Sequence, residues 1–277
     1  MGEDNAMKRK VLVLDIDGTL TNSKKEITPA TREALLTIQK KGHVVVLASG
    51  RPTGGLRMIT EALDFPRYGG YTISYNGACV TNTATGEAVF KNALPDYVAQ
   101  WMQDYARDYQ LGMCSYVGNE LLCGTRSDRY LEREAALNRF EVTQVESFAP
   151  FFRTDLYKVL LTAQPTRAQE HEHRLARRFV NRLSIYRSEP YFIEVMARGV
   201  NKADAIAGLL ERLGLEREDT IACGDGLNDL SMLRYAGLGV AMGNAQQSVK
   251  AAADVVTGSN DEDGLVPVIE RYILGRD

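Results

Sequence analysis

Four short stretches of the chain combine the residue types that handle an anion together with a hard cation. The first is Asp15-Ile16-Asp17-Gly18-Thr19. Strand side chains repeat every two residues, so two aspartates at this spacing project the same way where a strand gives out. Gly18 permits a tight turn directly after them. The second is Ser49-Gly50-Arg51, where a hydroxyl and backbone N–H groups suit a phosphate oxygen. The third is Lys202, at the start of a helix whose free N–H groups also favour an anion. The fourth is Gly224-Asp225-Gly226-Leu227-Asn228-Asp229, with two more carboxylates, an amide and glycines that leave room for a ligand. Taken singly, each also fits an ordinary turn. Taken together, Asp15, Asp17, Asp225 and Asp229 would crowd one crevice with negative charge, which needs a cation. All-oxygen donors favour a hard ion, and Mg²⁺ binds through one or two carboxylates with phosphate and water.

The elements around these stretches would bring them together. Val11-Leu12-Val13-Leu14 is a continuous apolar run, as in strands covered on both faces. Thr28-Pro29 opens a helix carrying Leu35, Leu36 and Ile38 that stops at Gly42. His43 to Ala48 and Tyr71 to Ser74 read as further strands, and strand–helix–strand at this spacing predicts a parallel sheet with helices on its faces. The same grammar returns with a helix over Asn201 to Gly214 and strands at Thr220 to Cys223, Gly237 to Ala241 and Asp254 to Val256. Three chemical stretches therefore fall at the carboxyl ends of parallel strands, where open sheets bind ligands. The middle differs. Val80 to Phe90 and Met113 to Cys123 read as hairpins, and Val98, Trp101, Met102, Tyr105 and Tyr109 keep helical spacing. Leu156 to Ala163, Leu183 to Tyr186 and Tyr191 to Val195 add strands around a charged helix at Arg167 to Phe179.

The order DxDGT, S-G-R, lysine, GDGxND resembles the haloacid dehalogenase (HAD) superfamily of phosphatases. An insert between the serine and lysine motifs is similar to the C2-capped Cof-type subgroup (subfamily IIB). The resemblance implies an α/β fold: a HAD-like Rossmannoid parallel-sheet core, residues 1–83 and 197–277, with an inserted, mostly antiparallel α/β cap domain over residues 84–196 that sets specificity. It implies Asp15 as the nucleophile that takes the phosphoryl group and Asp17 as the acid, then base, that completes hydrolysis. Mg²⁺ would be held by Asp15, the Asp17 backbone carbonyl and Asp225, with Asp229 supporting that shell. Ser49, Gly50 and Lys202 would bind the transferring group, and Asn228 would help with the phosphate or the metal shell. ATPase-like relatives carry Thr where Asp17 stands, so the pair favours a phosphatase or a phosphomutase. A mutase would also want cap arginines, for which Arg126, Arg129, Arg153 and Arg187 are available.

Composition fits this reading. The chain has 277 residues, 44% apolar and 25% charged, with a net charge of −3. Its basic residues are scattered among acids, against nucleic acid as a partner. Lys8-Arg9-Lys10 reads as a solvated strand entrance. No apolar run approaches membrane-span length, and the first ten residues lack a signal-like apolar core. Met1-Gly2 begins like a myristoylation signal, but Ala6 stands where Ser or Thr is wanted. Four cysteines without pairing motifs fit a reducing cytoplasm. His171 and His173, two apart on a helix, read as a solvated face, and His43 as a half-buried imidazole. Asn76-Gly77 reads equally as a turn or a phosphate contact. The expected partner is a small phosphorylated metabolite.

Overall fold

A computed structural model describes residues 9–276. Met1-Gly2, Ala6 and Lys8 of the basic run lie outside the described residues. The described chain forms two compact units. One comprises the chain up to Ser49, Met58–Phe90 and everything from Asn201; the other comprises Gly50–Arg57 and Lys91–Val200.

Along the chain, β1 is Val11–Leu14, β2 Val44–Ala48, β3 Tyr71–Ser74, β4 Cys79–Asn82 and β5 Ala88–Lys91. There follow β6 (Gly112–Val117), β7 (Glu120–Cys123), β8 (Glu141–Gln144), β9 (Lys158–Thr162), β10 (Leu183–Glu189) and β11 (Phe192–Ala197). The last are β12 (Thr220–Gly224), β13 (Leu238–Ala241) and β14 (Val255–Val256). The first unit's sheet runs β14-β13-β12-β1-β2-β3-β4-β5. It is parallel from β14 to β3, and β4 pairs antiparallel with β3. β1 is central, with Val11 opposite Val44 on one side and Thr220 on the other. Val11 and Val13 join Val44, Val46, Ile206 and Leu209 in one apolar cluster, so the Lys202–Leu213 helix covers that face. Leu12 and Leu14 alternate to the opposite face and are equally buried, which is why β1 reads as unbroken apolar sequence. The Pro29–Lys40 helix begins as its sequence predicts: Thr28 accepts from the Thr31 N–H at 3.2 Å and Pro29 fills the first turn.

The second unit's sheet runs β10-β11-β9-β6-β7-β8, antiparallel except for β7 with β8. Met113, Val159, Leu161, Ile193 and Val195 face an apolar cluster shared with Met102 and Leu175 of the Tyr97–Asp108 and Pro165–Arg178 helices.

Some readings change. The hairpin from Val80 to Phe90, grouped above with the middle of the chain, extends the first unit's sheet as β4 and β5. Period-two patterning identifies a strand but not its sheet. The Arg129–Asn138 helix and β8 went unread; the helix buries Leu131, Glu134, Ala135 and Asn138, two of them polar, and so weakens the apolar stripe. His171 is buried, not solvated: its Nδ1 lies 2.7 Å from the Tyr105 hydroxyl, while His173 is exposed. Positions two apart on a helix point to different sides, so one ring went in and the other out. His43 is buried, with Nδ1 accepting from the Lys10 N–H at 3.1 Å. No helix among the described residues is long and apolar enough to cross a membrane.

Candidate active site

Asp15 extends β1 by one residue, its N–H donating to the Cys223 carbonyl at 3.0 Å. The chain then folds back sharply, the Ile16 carbonyl accepting from the Thr21 N–H and hydroxyl, both at 2.9 Å. Gly18 sits in this turn at φ +91°, and a Cβ there would stand 2.4 Å from Asp225 Oδ2. Thr19 Oγ1 donates to Asp225 Oδ1 at 2.9 Å, so the first and fourth motifs lock together. Gly18→Ala is accordingly expected to lose about 1–3 kcal/mol through backbone strain, and to drop activity as Asp225 is displaced. Thermal unfolding checks the first, and a wild-type melting temperature with wild-type turnover would refute the close approach.

Lys202 opens its helix, which Asn201 caps by accepting from the Asp204 N–H at 2.9 Å. Its side chain is fully buried, and its Nζ donates to Asp15 Oδ1 at 2.6 Å, Asp229 Oδ1 at 2.6 Å and the Ala48 carbonyl at 2.7 Å. That uses all three ammonium protons. Asp229 is fully buried too, and its Oδ2 accepts from the Asp225 N–H at 3.0 Å and the Gly226 N–H at 2.8 Å. Both oxygens of Asp229 are thus committed to holding Lys202 and the Asp225 loop.

The electrostatics are unbalanced. Burial, opposed by Lys202 but reinforced by Asp229 and Asp225, pushes the Asp15 carboxyl up to about 7. Burial chiefly, with Asp229 adding, also raises Asp225. Burial works against the charge of Lys202, but Asp15 and Asp229 outweigh it and raise its pKa. Carboxylate oxygens of Asp15, Asp225 and Asp229 lie within 4.8 Å of one another. Three acids against one buried lysine, with only oxygen donors, fit a hard divalent cation. The Asp17 carboxylate stands outside this cluster; it is partly exposed and its Oδ1 accepts from Lys25 Nζ at 2.9 Å.

Ser49 directly follows Ala48, whose carbonyl Lys202 holds, and is buried. Its N–H donates to the Ile73 carbonyl at 2.8 Å, and its own carbonyl accepts from the Asn76 N–H at 2.9 Å. Gly50, the next residue, belongs to the second unit, where its carbonyl accepts from Lys158 Nζ at 3.2 Å. Asn228 is exposed and donates through Nδ2 to Asn76 Oδ1 at 3.4 Å. Tyr75, Asn76 and Gly77 have φ of +51°, +55° and +113° in succession. A Cβ at Gly77 would meet the Asn201 carbonyl at 2.1 Å, so this turn seats the start of the Lys202 helix.

The structure therefore gathers Asp15, Lys202, Asp225 and Asp229 tightly, with Asp17 beside them in sequence and Asn228 reached through Asn76. Sequence reasoning missed Lys25, Thr19 and Asn244, whose Nδ2 donates to the Gly18 carbonyl at 2.8 Å. Thr19 stood inside a recognised motif, whereas Lys25 and Asn244 carried no signal. Among the candidate arginines, Arg187 pairs with Glu172 at 2.6 Å and Arg129 lies over the Tyr130 ring at 4.7 Å. Cys223, beside the site, is a buried thiol that burial pushes up, consistent with a small apolar filler.

The residue pattern of haloacid dehalogenase-like hydrolases matches residues 12–269. YcsE of Bacillus subtilis, a 5-amino-6-(5-phospho-D-ribitylamino)uracil phosphatase, is 31% identical, over 96% of this chain and 96% of its own. Among solved structures, a haloacid dehalogenase-like hydrolase from Bacteroides thetaiotaomicron matches with a TM-score of 0.91 at 42% identity, covering 96% of this chain and 100% of that one. The HAD subclass IIB sugar phosphatase BT4131 matches with a TM-score of 0.78 at 28% identity, covering 95% and 98%.

Proposed function

This chain belongs to the haloacid dehalogenase-like hydrolases and is a phosphatase, and we propose that it is a Mg²⁺-dependent hydrolase of a small phosphomonoester working through an aspartyl-phosphate. The observation that carries the proposal is Lys202 Nζ bridging Asp15 and Asp229 beside Asp225.

In this reading Asp15 attacks phosphorus, the bond to the leaving oxygen breaks, and Asp17 gives that oxygen a proton. Asp17 then takes a proton from water as the water attacks the aspartyl-phosphate, which releases inorganic phosphate and restores Asp15. Lys202 orients Asp15 and balances charge on the phosphoryl oxygens, which Ser49, Gly50 and Asn228 help to bind. Asp15, Asp225 and the Asp17 carbonyl would hold Mg²⁺, with Asp229 fixing their loop. Bound there, the ion neutralises charge that develops during transfer. The side-chain contact between Lys25 and Asp17 supports a positioned proton carrier.

A sugar phosphate or similar metabolite is the proposed substrate class, supported by the names of BT4131 and YcsE. We assign the chemistry to residues 1–83 and 197–277 and the choice of substrate to 84–196. The four buried, unpaired cysteines support a cytoplasmic setting. A phosphate-release screen with Mg²⁺ over sugar phosphates, nucleotides, FMN and pyridoxal phosphate tests the proposal. Inorganic phosphate is expected to appear from at least one sugar phosphate. The runner-up, a phosphomutase, predicts instead that glucose 1-phosphate or mannose 1-phosphate is isomerised without release. With Arg187 engaged by Glu172 and Arg129 by Tyr130, two of its four candidate arginines already have partners.

A further inference from the structure

Asn244 lies just beyond β13, outside every motif of the sequence, yet it meets the turn that follows Asp17. Its Nδ2 donates to the Gly18 carbonyl at 2.8 Å, and its Oδ1 accepts from the Asn260 N–H at 3.0 Å. A carbonyl on one side and an N–H on the other leave the amide only one way round. The loop that carries Asn244 is itself pinned. The Met242 N–H donates to the Gly224 carbonyl at 3.0 Å, and the Gly243 N–H to the Gly258 carbonyl at 2.9 Å. Gly224 ends β12 and directly precedes Asp225, so the strand end that presents Asp225 also anchors Asn244. All these residues belong to the first unit.

Gly18 cannot steady itself. Its close approach to Asp225 leaves no room for a side chain, and glycine is the least restrained of residues. A peptide group is planar, so the Gly18 carbonyl shares its plane with the nitrogen and Cα of Thr19. Holding that carbonyl therefore fixes where Thr19 begins. Thr19 is 2% exposed, and its Oγ1 donates to Asp225 Oδ1 at 2.9 Å. The contacts close a ring, from Asp225 through Gly224, Met242, Asn244, Gly18 and Thr19 back to Asp225. Thr19 engages one oxygen of Asp225, and no donor among the described residues reaches Oδ2.

We propose that Asn244 is a positioning residue for the metal ligand Asp225: acting through Gly18 and Thr19, it keeps that carboxylate a one-oxygen ligand and so favours Mg²⁺ over Ca²⁺. This rests on the reading that Asp225 holds Mg²⁺. Mg²⁺ demands near-octahedral sites, which one oxygen per carboxylate suits, whereas Ca²⁺ readily takes both oxygens of a carboxylate. Groups that orient a ligand strongly affect how tightly the ion is held.

The test is calorimetric titration of the full chain, freed of divalent cations, with Mg²⁺ and with Ca²⁺. Asn244→Ala is expected to raise the Kd for Mg²⁺ about tenfold, the lower end for loss of an orienting partner, and to change that for Ca²⁺ little. Its melting temperature should stay near wild type, because Asn244 is exposed. Thr19→Val is expected to weaken Mg²⁺ binding likewise, and Thr19→Ser, which keeps the hydroxyl, to bind as wild type does. Because Asn244 acts through Thr19, adding Asn244→Ala to Thr19→Val should cost nothing more. Equal weakening of both ions would mean general loosening, and multiplied effects in the double variant a separate route. Either result, or an unchanged Kd for Mg²⁺ in Asn244→Ala, overturns the proposal. Should Thr19→Val not fold, Thr19→Ala takes its place; if neither folds, Thr19 is a stability element and the proposal fails. Asp225→Asn separates the two levels. If it leaves the Kd for Mg²⁺ unchanged, the metal reading falls and takes this proposal with it. If it weakens Mg²⁺ binding and Asn244→Ala does not, only the role of Asn244 falls.

Discussion

Asp15→Asn is expected to lower kcat by about a thousandfold or more, because an amide cannot form the acyl-phosphate. It is also expected to leave the fold intact, since an amide oxygen can still accept from Lys202 Nζ, which keeps Asp229 and the Ala48 carbonyl. Stability supplies an independent readout. The folded-state pKa of Asp15 is raised from 3.8 to about 7, mainly by burial, so between these values the folded chain holds a proton that the unfolded chain has released. The contribution of this group to stability therefore falls as pH rises through that window and is least above it. Without added cation at pH 7.5, the Asn variant should melt no lower than the wild type. A well-folded variant with near-normal turnover would remove Asp15 from its role.

Removing divalent cations is expected to be as severe. After exhaustive EDTA treatment phosphate release should vanish, Mg²⁺ should restore it and Ca²⁺ should restore it poorly. The grouped oxygens of Asp15, Asp225 and Asp229 motivate the requirement, and the order follows from the strict octahedral geometry that Ca²⁺ relaxes. Undiminished activity in EDTA would mean that Lys202 alone balances the cluster.

Much of this site was legible because its residues sit at ends of strands that announce themselves. β1 runs Val11–Leu14, as its apolar run predicted, β3 runs Tyr71–Ser74 as read, and both β2 and β12 end within a residue of expectation. Covered strands carry their signal locally, in unbroken Val and Leu. What stayed hidden depends on contacts between distant segments. Lys25 reaches Asp17 through a turn with Lys25 itself at φ +62°, which no local pattern specified. Lys158 looks like a strand-edge cation until Glu194 and Gly50 are seen around it. Glu134 and Asn138 broke the apolar stripe of their helix because they face a polar cluster that sequence periodicity counts against burial.

The central position of β1 also bears on how the chain is made. Its Val11 edge toward β2 is satisfied early, but the other edge waits for Thr220, a separation of 220 − 11 = 209 residues. At about 5–20 residues per second of synthesis, that edge stays open for roughly 10–40 s. During this time β6 to β11 emerge as one continuous run and can pair among themselves, since the antiparallel neighbours are near in sequence. A strand that is apolar on both faces and bare along one edge is an aggregation hazard. A ribosome stalled before Thr220 thus releases a chain whose second sheet can form, while its first sheet offers an unmatched strand to any neighbour.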